Sequence, residues 1–379
     1  MDTLDNDCQL LIIKYLSLRD QLSLFELTNE EPTNRVNSNL HYAWQHQLSF
    51  HLDEDHFEVF VEKPEILHGF LSIICTTVHH LTLWDVTLDR LTCWKHYNFS
   101  EMKSLEFRLN YDYNDMMNGY QVIQLMGDLF PEIHNIKLCD KFDMIHLRNW
   151  KHLRKLDLTQ CFPIFRTDES SWRISELKML EELIINHEEL NEEQFEILVN
   201  LPKLQILTLE FLAKNRLNCI IKMRAMDIQK ITLNGFCLNE LSDAEKLINL
   251  RQVTLVNIKI TRENIQKLIK GLPLLKRLDI IDSRILSSEI ELWQTFACCP
   301  SLQILNVSNV KLHEGFFSLN RRPIEMVLNR RWTPLSVNWH NTIENELIRS
   351  YLKHPNLNVS FEPFKIDYIA YCVEIKFSP

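Results

Sequence analysis

His41, His46, His51 and His56 recur every five residues beside Asp53, Glu54 and Asp55. A metal site on a helix needs its ligands on one face, at i and i+4 or close to it. A step of five walks around the helix, so this stretch reads as solvated helix and loop. Cys298-Cys299 has neither the spacing of a redox pair nor a second pair to complete a zinc site; packing ahead of Pro300 is the expectation. A nucleophilic cysteine needs a partner base in a recognisable context, and none of the ten cysteines has one in the sequence. The six glycines, Gly69, Gly119, Gly127, Gly235, Gly271 and Gly315, are scattered. Dinucleotide fingerprints, phosphate loops and nucleophile elbows all need clustered glycines, because the backbone must turn sharply or approach a ligand closely. No catalytic residue, cofactor or metal is therefore assigned. One basic cluster remains, Arg321-Arg322 with Arg330-Arg331-Trp332. It could meet an acidic or phosphorylated segment, since arginine pairs bidentately with such groups, or be plain surface charge.

The elements around these residues form a pattern. In 379 residues, 45% are hydrophobic and 24% charged, the balance of a folded chain with a sizeable core. The net charge of −10, from 41 basic and 51 acidic side chains, argues against a general nucleic-acid or anionic-membrane surface. No signal-peptide pattern is visible, and no apolar run reaches the roughly 20 residues that span a bilayer. Cytoplasm or nucleus is the expected compartment, with reduced thiols.

A short motif recurs: apolar, two residues, apolar, one residue, apolar. It runs through Val78-Leu81-Leu83, Met102-Leu105-Phe107, Ile133-Ile136-Leu138, Leu153-Leu156-Leu158 and Leu180-Leu183-Ile185. It continues through Leu204-Leu207-Leu209, Ile228-Ile231-Leu233, Leu250-Val253-Leu255, Leu275-Leu278-Ile280 and Leu302-Leu305-Val307. A proline stands two residues ahead at Pro131, Pro202, Pro273 and Pro300, and Pro355-Asn356-Leu357 reads as a further copy. Between copies lie helix-like stretches. Asn191 caps one with Phe195, Leu198 and Val199 on its apolar face; Thr261 caps another with Ile265, Leu268 and Ile269, closed by Gly271. One strand-turn-helix unit cannot bury its own apolar faces, so units must stack.

Residues from about 65 to 360 resemble the leucine-rich-repeat superfamily, most closely its longer, helix-bearing class. The resemblance implies an α/β solenoid with a curved parallel sheet inside and helices outside. Residues between the repeated leucines would then face the concavity. Candidate partner-binding residues on that column are Glu106, Lys137, Asp157, Thr208, Thr232, Thr254, Asp279 and Asn306, with Trp84 as an aromatic anchor.

The first 50 residues lie outside the repeat. Leu4, Asp7, Cys8, Ile12, Ile13, Tyr15, Leu16, Asp20, Leu22, Leu24 and Trp44 fall in the order of an F-box. The chain departs from that family at Asp5, where a proline is usual, at Gln21, where a leucine is usual, and at Glu31-Pro32, where a tryptophan is common. The resemblance implies a helical hook for the Skp-type adaptor and cullin scaffold of a ubiquitin ligase. Leu4, Cys8, Ile12, Ile13, Tyr15, Leu16, Leu22 and Leu24 would be its adaptor-binding side chains. The expected organisation is an F-box-like module at 1–50, a connecting segment at 51–64, a solenoid at 65–362 and a terminal cap at 363–379. In that cap Tyr368, Ile369, Tyr371, Val373, Ile375 and Phe377 alternate as a strand would.

The expected function is a non-catalytic substrate adaptor of a Skp–cullin–F-box ligase, holding a protein target on the repeats for ubiquitin-dependent degradation. A non-ubiquitin repeat scaffold or inhibitor with a degenerate F-box, and a cysteine-dependent enzyme, are the other readings.

Overall fold

Asp5 begins helix α1 (Asn6–Tyr15) by accepting the Cys8 amide at 2.8 Å. Ser17 does the same for Asp20 at the start of α2 (Leu18–Thr28), and Asn34 for Val36 at the start of α3 (Arg35–His46). Each cap satisfies an amide that the helix cannot. The structure is a computed structural model; it describes all residues except 1–3, 30–33, 110–115, 165–174, 187–189, 211–213, 236–243, 287–295, 297–298, 311–320, 342–352, 364–371 and 379. Glu31 and Pro32 thus lie outside the described residues.

Two compact units divide the chain. The first comprises Met1–Leu183 with Glu189–Lys203, the second Ile184–Glu188 with Leu204–Pro379. In the first, the three helices do not form a separate module. Trp44 of α3 meets Phe70 of α5 (Pro64–Ile74) edge-on at 5.1 Å, and Phe25 of α2 lies against Gly69 so closely that any Cβ there would collide with the ring. Phe70 also meets Phe50 edge-on and stacks with Phe60, so helices and first coil share one aromatic core. The boundary expected near residue 65 moves accordingly. Residues 51–64 hold the second half of strand β1 (Ser49–Leu52) and all of helix α4 (Glu54–Glu62), and β1 already pairs with β2 (His80–Val86). Phe50 and Leu52 stand level with Leu81 and Leu83, but Gln47 takes the place of Val78, so the repeat motif is incomplete there.

Strands β1, β2, β3 (Ser104–Leu109), β4 (Asn135–Asp143) and β5 (Lys155–Ile164) pair in parallel, each with the next. Helices α6 (Leu88–Thr92) and α7 (Met116–Leu129) lie between strands in the chain. Strand β6 (Glu182–Asn186) contributes residues to both units. Helix α8 (Glu192–Val199) starts at Asn191 with a complete capping box closed by Gln194.

The second unit contains β7 (Ile206–Glu210), helix α9 (Lys214–Arg224), β8 (Ile228–Asn234), β9 (Gln252–Val256), the short β10 (Lys259–Ile260) and helix α10 (Arg262–Lys270). Beyond them come β11 (Arg277–Ile281), the short β12 (Arg284–Ile285), β13 (Ile304–Ser308), helix α11 (Arg321–Asn329), β14 (Leu335–His340), β15 (Leu357–Ser360) and β16 (Cys372–Phe377). β8, β9, β11, β13, β14 and β15 are parallel neighbours in that order. The repeated apolar residues are the core: Leu207, Ile231, Val253, Leu278 and Leu305 are each at most 1% exposed. The fold is thus α/β, a leucine-rich-repeat solenoid. Thr261 caps α10 in a full capping box, but Gly271 ends it at φ −79°, in the right-handed region and not the left-handed one expected. The repeat at β14 was hidden in the sequence because Pro334 stands where its first leucine belongs. Leu357 pairs with Leu335, so the last copy is shifted by one from the motif read in the sequence, and Asn356 takes its first position.

Tyr368, Ile369 and Tyr371 of the tail lie outside the described residues, and its described strand does not lie against the last repeat. β16 lies between β7 and β8, antiparallel to both. Alternation announced a strand at Val373, Ile375 and Phe377, but nothing local states which edges it joins.

A second regularity sits at the strand ends. Asp85, Asn257, Asp282, Asn309 and Asn341 have positive φ, and Gly235 has φ 70° at the same place after β8. Asn and Asp tolerate this region better than other non-glycine residues. Their side chains form rungs: Asn257 to Asn234 at 3.1 Å, Asn309 to Asp282 at 2.7 Å, Asn341 to Asn309 at 2.6 Å.

Candidate partner-binding surfaces

The expected inner column exists, but its two halves differ. In the first unit His51, Thr82, Glu106, Lys137 and Asp157 stand side by side through successive registers. All are exposed or half-buried. Lys137 Nζ bonds Glu106 at 2.8 Å. Burial works against the Lys137 ammonium, yet the bond and charge of Glu106 outweigh it and raise its pKa. Lys155 pairs with Glu182 at 2.8 Å, and Asp157 accepts both the amide and the hydroxyl of Thr159.

Trp84 rises from this face at 36% exposure. Arg108 lies over its ring at 5.0 Å and His51 meets it edge-on at 4.7 Å. Arg108 is itself held by both carboxylate oxygens of Asp85, at 3.2 and 3.0 Å. The left-handed turn at Asp85 therefore orients the arginine that braces the tryptophan. The sequence singled out Trp84; His51 and Arg108 were missed as its companions because they come from other coils.

In the second unit the column is buried. Thr208 is 2% exposed, Thr232 3%, Thr254 0%, Asp279 0% and Asn306 7%, so none of the five is placed to touch a partner as expected. For Thr254, Asp279 and Asn306 the reason is chemical, whereas Thr208 and Thr232 stand on either side of Glu374 of β16. The Asp279 carboxylate accepts from Gln252 and Thr254, each at 3.1 Å, from Arg277 at 2.9 Å and from Asn306. A buried carboxylate needs such donors, and gathering them draws the flanking side chains across the column.

On the N-terminal helices the expected adaptor residues also divide. Ile13 is 0% and Leu22 1% exposed, so both are core. Ile12, Leu16 and Leu24 are half-buried; Leu4 and Cys8 are exposed. Tyr15 is 82% exposed, and Leu11, one turn earlier on α1, is 56% exposed; Leu27 on α2 is 80% exposed. Leu11 and Leu27 were not among the expected contacts. The 3.6-residue period separates them from Ile13 only once the helix register is known. Gln21, the departure from the family pattern, is a buried bracket. It accepts from the Trp44 indole at 2.6 Å and donates to the carbonyls of Ile13 and Leu16, each at 3.0 Å.

The basic cluster is split in the same way. Trp332 is 98% exposed, whereas Arg331 is 7% exposed and donates to the Cys299 carbonyl. Burial lowers the Arg331 pKa. His56 is engaged in the cap of α4, bonded to Asp53 at 2.6 Å. The Asp5 carboxylate raises the Cys8 pKa, and burial raises those of Cys75 and Cys93.

No family model matches the chain, and no curated protein matches it. Several solved structures are similar to it. An internalin C2 from Listeria monocytogenes has 14% identity and TM-score 0.22 over 64% of this chain and 75% of its own. An internalin (inlF) from the same organism has 12% identity and TM-score 0.35 over 82% of this chain and 94% of its own. A TLR13–ssRNA13 complex has 16% identity and TM-score 0.36 over 72% of this chain and 40% of its own. The repeat geometry itself, not these distant likenesses, establishes the fold.

Proposed function

We propose that this leucine-rich-repeat chain is the substrate-recruiting subunit of a Skp–cullin–F-box ubiquitin ligase, working in the cytoplasm or nucleus. The observation that carries this reading is the pair Leu11 and Tyr15. They stand exposed one turn apart on α1, while Gln9 and Ile13 of the same helix are buried. A surface helix seldom leaves two large apolar side chains of one face in water without a partner groove to receive them. The adaptor is that partner, and the cullin follows through it.

The target is a protein, held on the first unit's strand face around Trp84. The cations there are already matched: Lys137 by Glu106, Arg108 by Asp85, Lys155 by Glu182. With a net charge of −10 besides, nucleic-acid phosphates and anionic lipid find little to neutralise them. The chain supplies proximity and no bond-making group.

The test is co-purification of the full chain with a Skp-type adaptor. Leu11→Asp plus Tyr15→Asp abolishes capture and leaves the circular dichroism unchanged. An intact chain that captures no adaptor, yet still holds a protein through Trp84, is a repeat scaffold outside the ubiquitin system.

A further inference from the structure

β16 enters the second unit as a wedge. A strand between two others sets them about 9–10 Å apart, twice the usual spacing, so β7 and β8 meet only through it. β8 to β15 are laddered to one another without β16. When β16 leaves, that run keeps its own pairing, but β7 and β8 each present an edge of unpaired amides and carbonyls. Such an edge is a template for another strand.

The slot has a definite specificity. Val373 sits level with Leu209 and Leu233, and Ile375 with Leu207 and Ile231, so both extend the leucine layers. Glu374 reaches Lys230 at 3.0 Å. The Phe377 ring lies under the Arg224 guanidinium at 3.8 Å. The amide of Phe377 donates to Gln205 at 2.8 Å and that of Ser378 to Asp227 at 2.6 Å. An occupant therefore needs an extended segment with alternate apolar residues, an acid opposite Lys230 and an aromatic beneath Arg224.

We propose that this slot is a strand-acceptor site whose second occupant is the β16 of another copy of this chain, so that two chains pair by exchanging C-terminal strands. An identical copy meets every requirement of the slot, and the exchange is closed and symmetric, giving a dimer and not a fibre. The resident strand competes at an effective concentration of order millimolar, so exchange grows with protein concentration.

Two full-length variants, Lys230→Glu and Glu374→Lys, test it. Alone, each places like charges together in its own slot. Mixed, the two chains restore opposite charges in both slots only by exchanging strands. Each variant alone stays monomeric in sedimentation, and the equimolar mixture forms heterodimers at least about tenfold tighter than wild-type homodimers. A wild-type experiment guards against variants that fail to fold. Isotope-labelled and unlabelled chains are refolded together and joined with a zero-length carbodiimide, which links Lys230 to Glu374. Cross-linked peptides of mixed isotope, rising with concentration towards half the total, support exchange. If the folded variant mixture stays monomeric, or if every wild-type cross-link stays within one isotope at all concentrations, the proposal is overturned.

Discussion

Trp44 and Gln21 are joined in the core of the N-terminal helices: the indole Nε1 donates to the amide oxygen of Gln21 at 2.6 Å. The same Gln21 donates to the carbonyls of Ile13 and Leu16, where α1 ends. One side chain thus binds α1, α2 and α3 together. Gln21→Leu restores the residue usual in the resembled family but strands the indole N–H and removes a donor from the Leu16 and Ile13 carbonyls, of which Ile13 keeps the Leu16 amide at 3.1 Å. The expected loss is about 1–3 kcal/mol, read as a lower urea midpoint, although the replacement is more hydrophobic.

The burial pattern of α1 separates folding from binding. Ile13→Ala removes a fully buried side chain and costs about 2–5 kcal/mol. Tyr15→Ala stays within about 0.5 kcal/mol of the parent and weakens adaptor capture. Denaturation curves and co-purification, measured on both variants, should give opposite rankings.

Asp279 is a structural acceptor. Asp279→Leu leaves Gln252, Thr254 and Asn306 without their shared oxygens. The loss is about 3 kcal/mol, seen in the thermal midpoint. Trp84→Ala, on the partly exposed face of the first unit, removes the Arg108 and His51 contacts, lowers the midpoint by less than Asp279→Leu does and lowers target retention.

Asn309 combines a left-handed backbone, φ 55°, with rungs to Asp282 and Asn341. Asn309→Ala keeps the strain that a side chain imposes there and loses both rungs, for about 1–3 kcal/mol. Asn309→Gly relieves the backbone and costs less. A reversed order in chemical denaturation would contradict this account.

Burial lowers the pKa of His41, and burial with the charges of Lys103 and Arg154 lowers that of His134. The folded state resists protonating both, so the unfolded chain takes up protons first on acidification. Stability is full above the ordinary histidine value, about 6.5, and falls as pH drops through it towards the lowered folded values. The thermal midpoint is therefore lower at pH 5.5 than at pH 7.5. His41→Gln, which cannot titrate, reduces that difference.

The sequence by itself determined the repeat. Leucines at a fixed spacing, such as Leu204, Leu207 and Leu209, have no other way to leave water than to lie in stacked coils. It also determined the caps at Asn191 and Thr261, which depend on residues three apart. The left-handed strand ends at Asn257, Asp282, Asn309 and Asn341 were not read from the sequence; they emerged from the backbone angles. Only the tertiary structure decided that Trp84 stands between His51 and Arg108, that Thr254 and Asp279 are buried, and that Glu374 meets Lys230 across 144 residues. The reason is physical. Periodicity reports which side of a strand a residue takes, because that is set by its own backbone. Exposure and pairing are set by neighbours from other coils, and no residue records in its own local pattern which strand will arrive beside it.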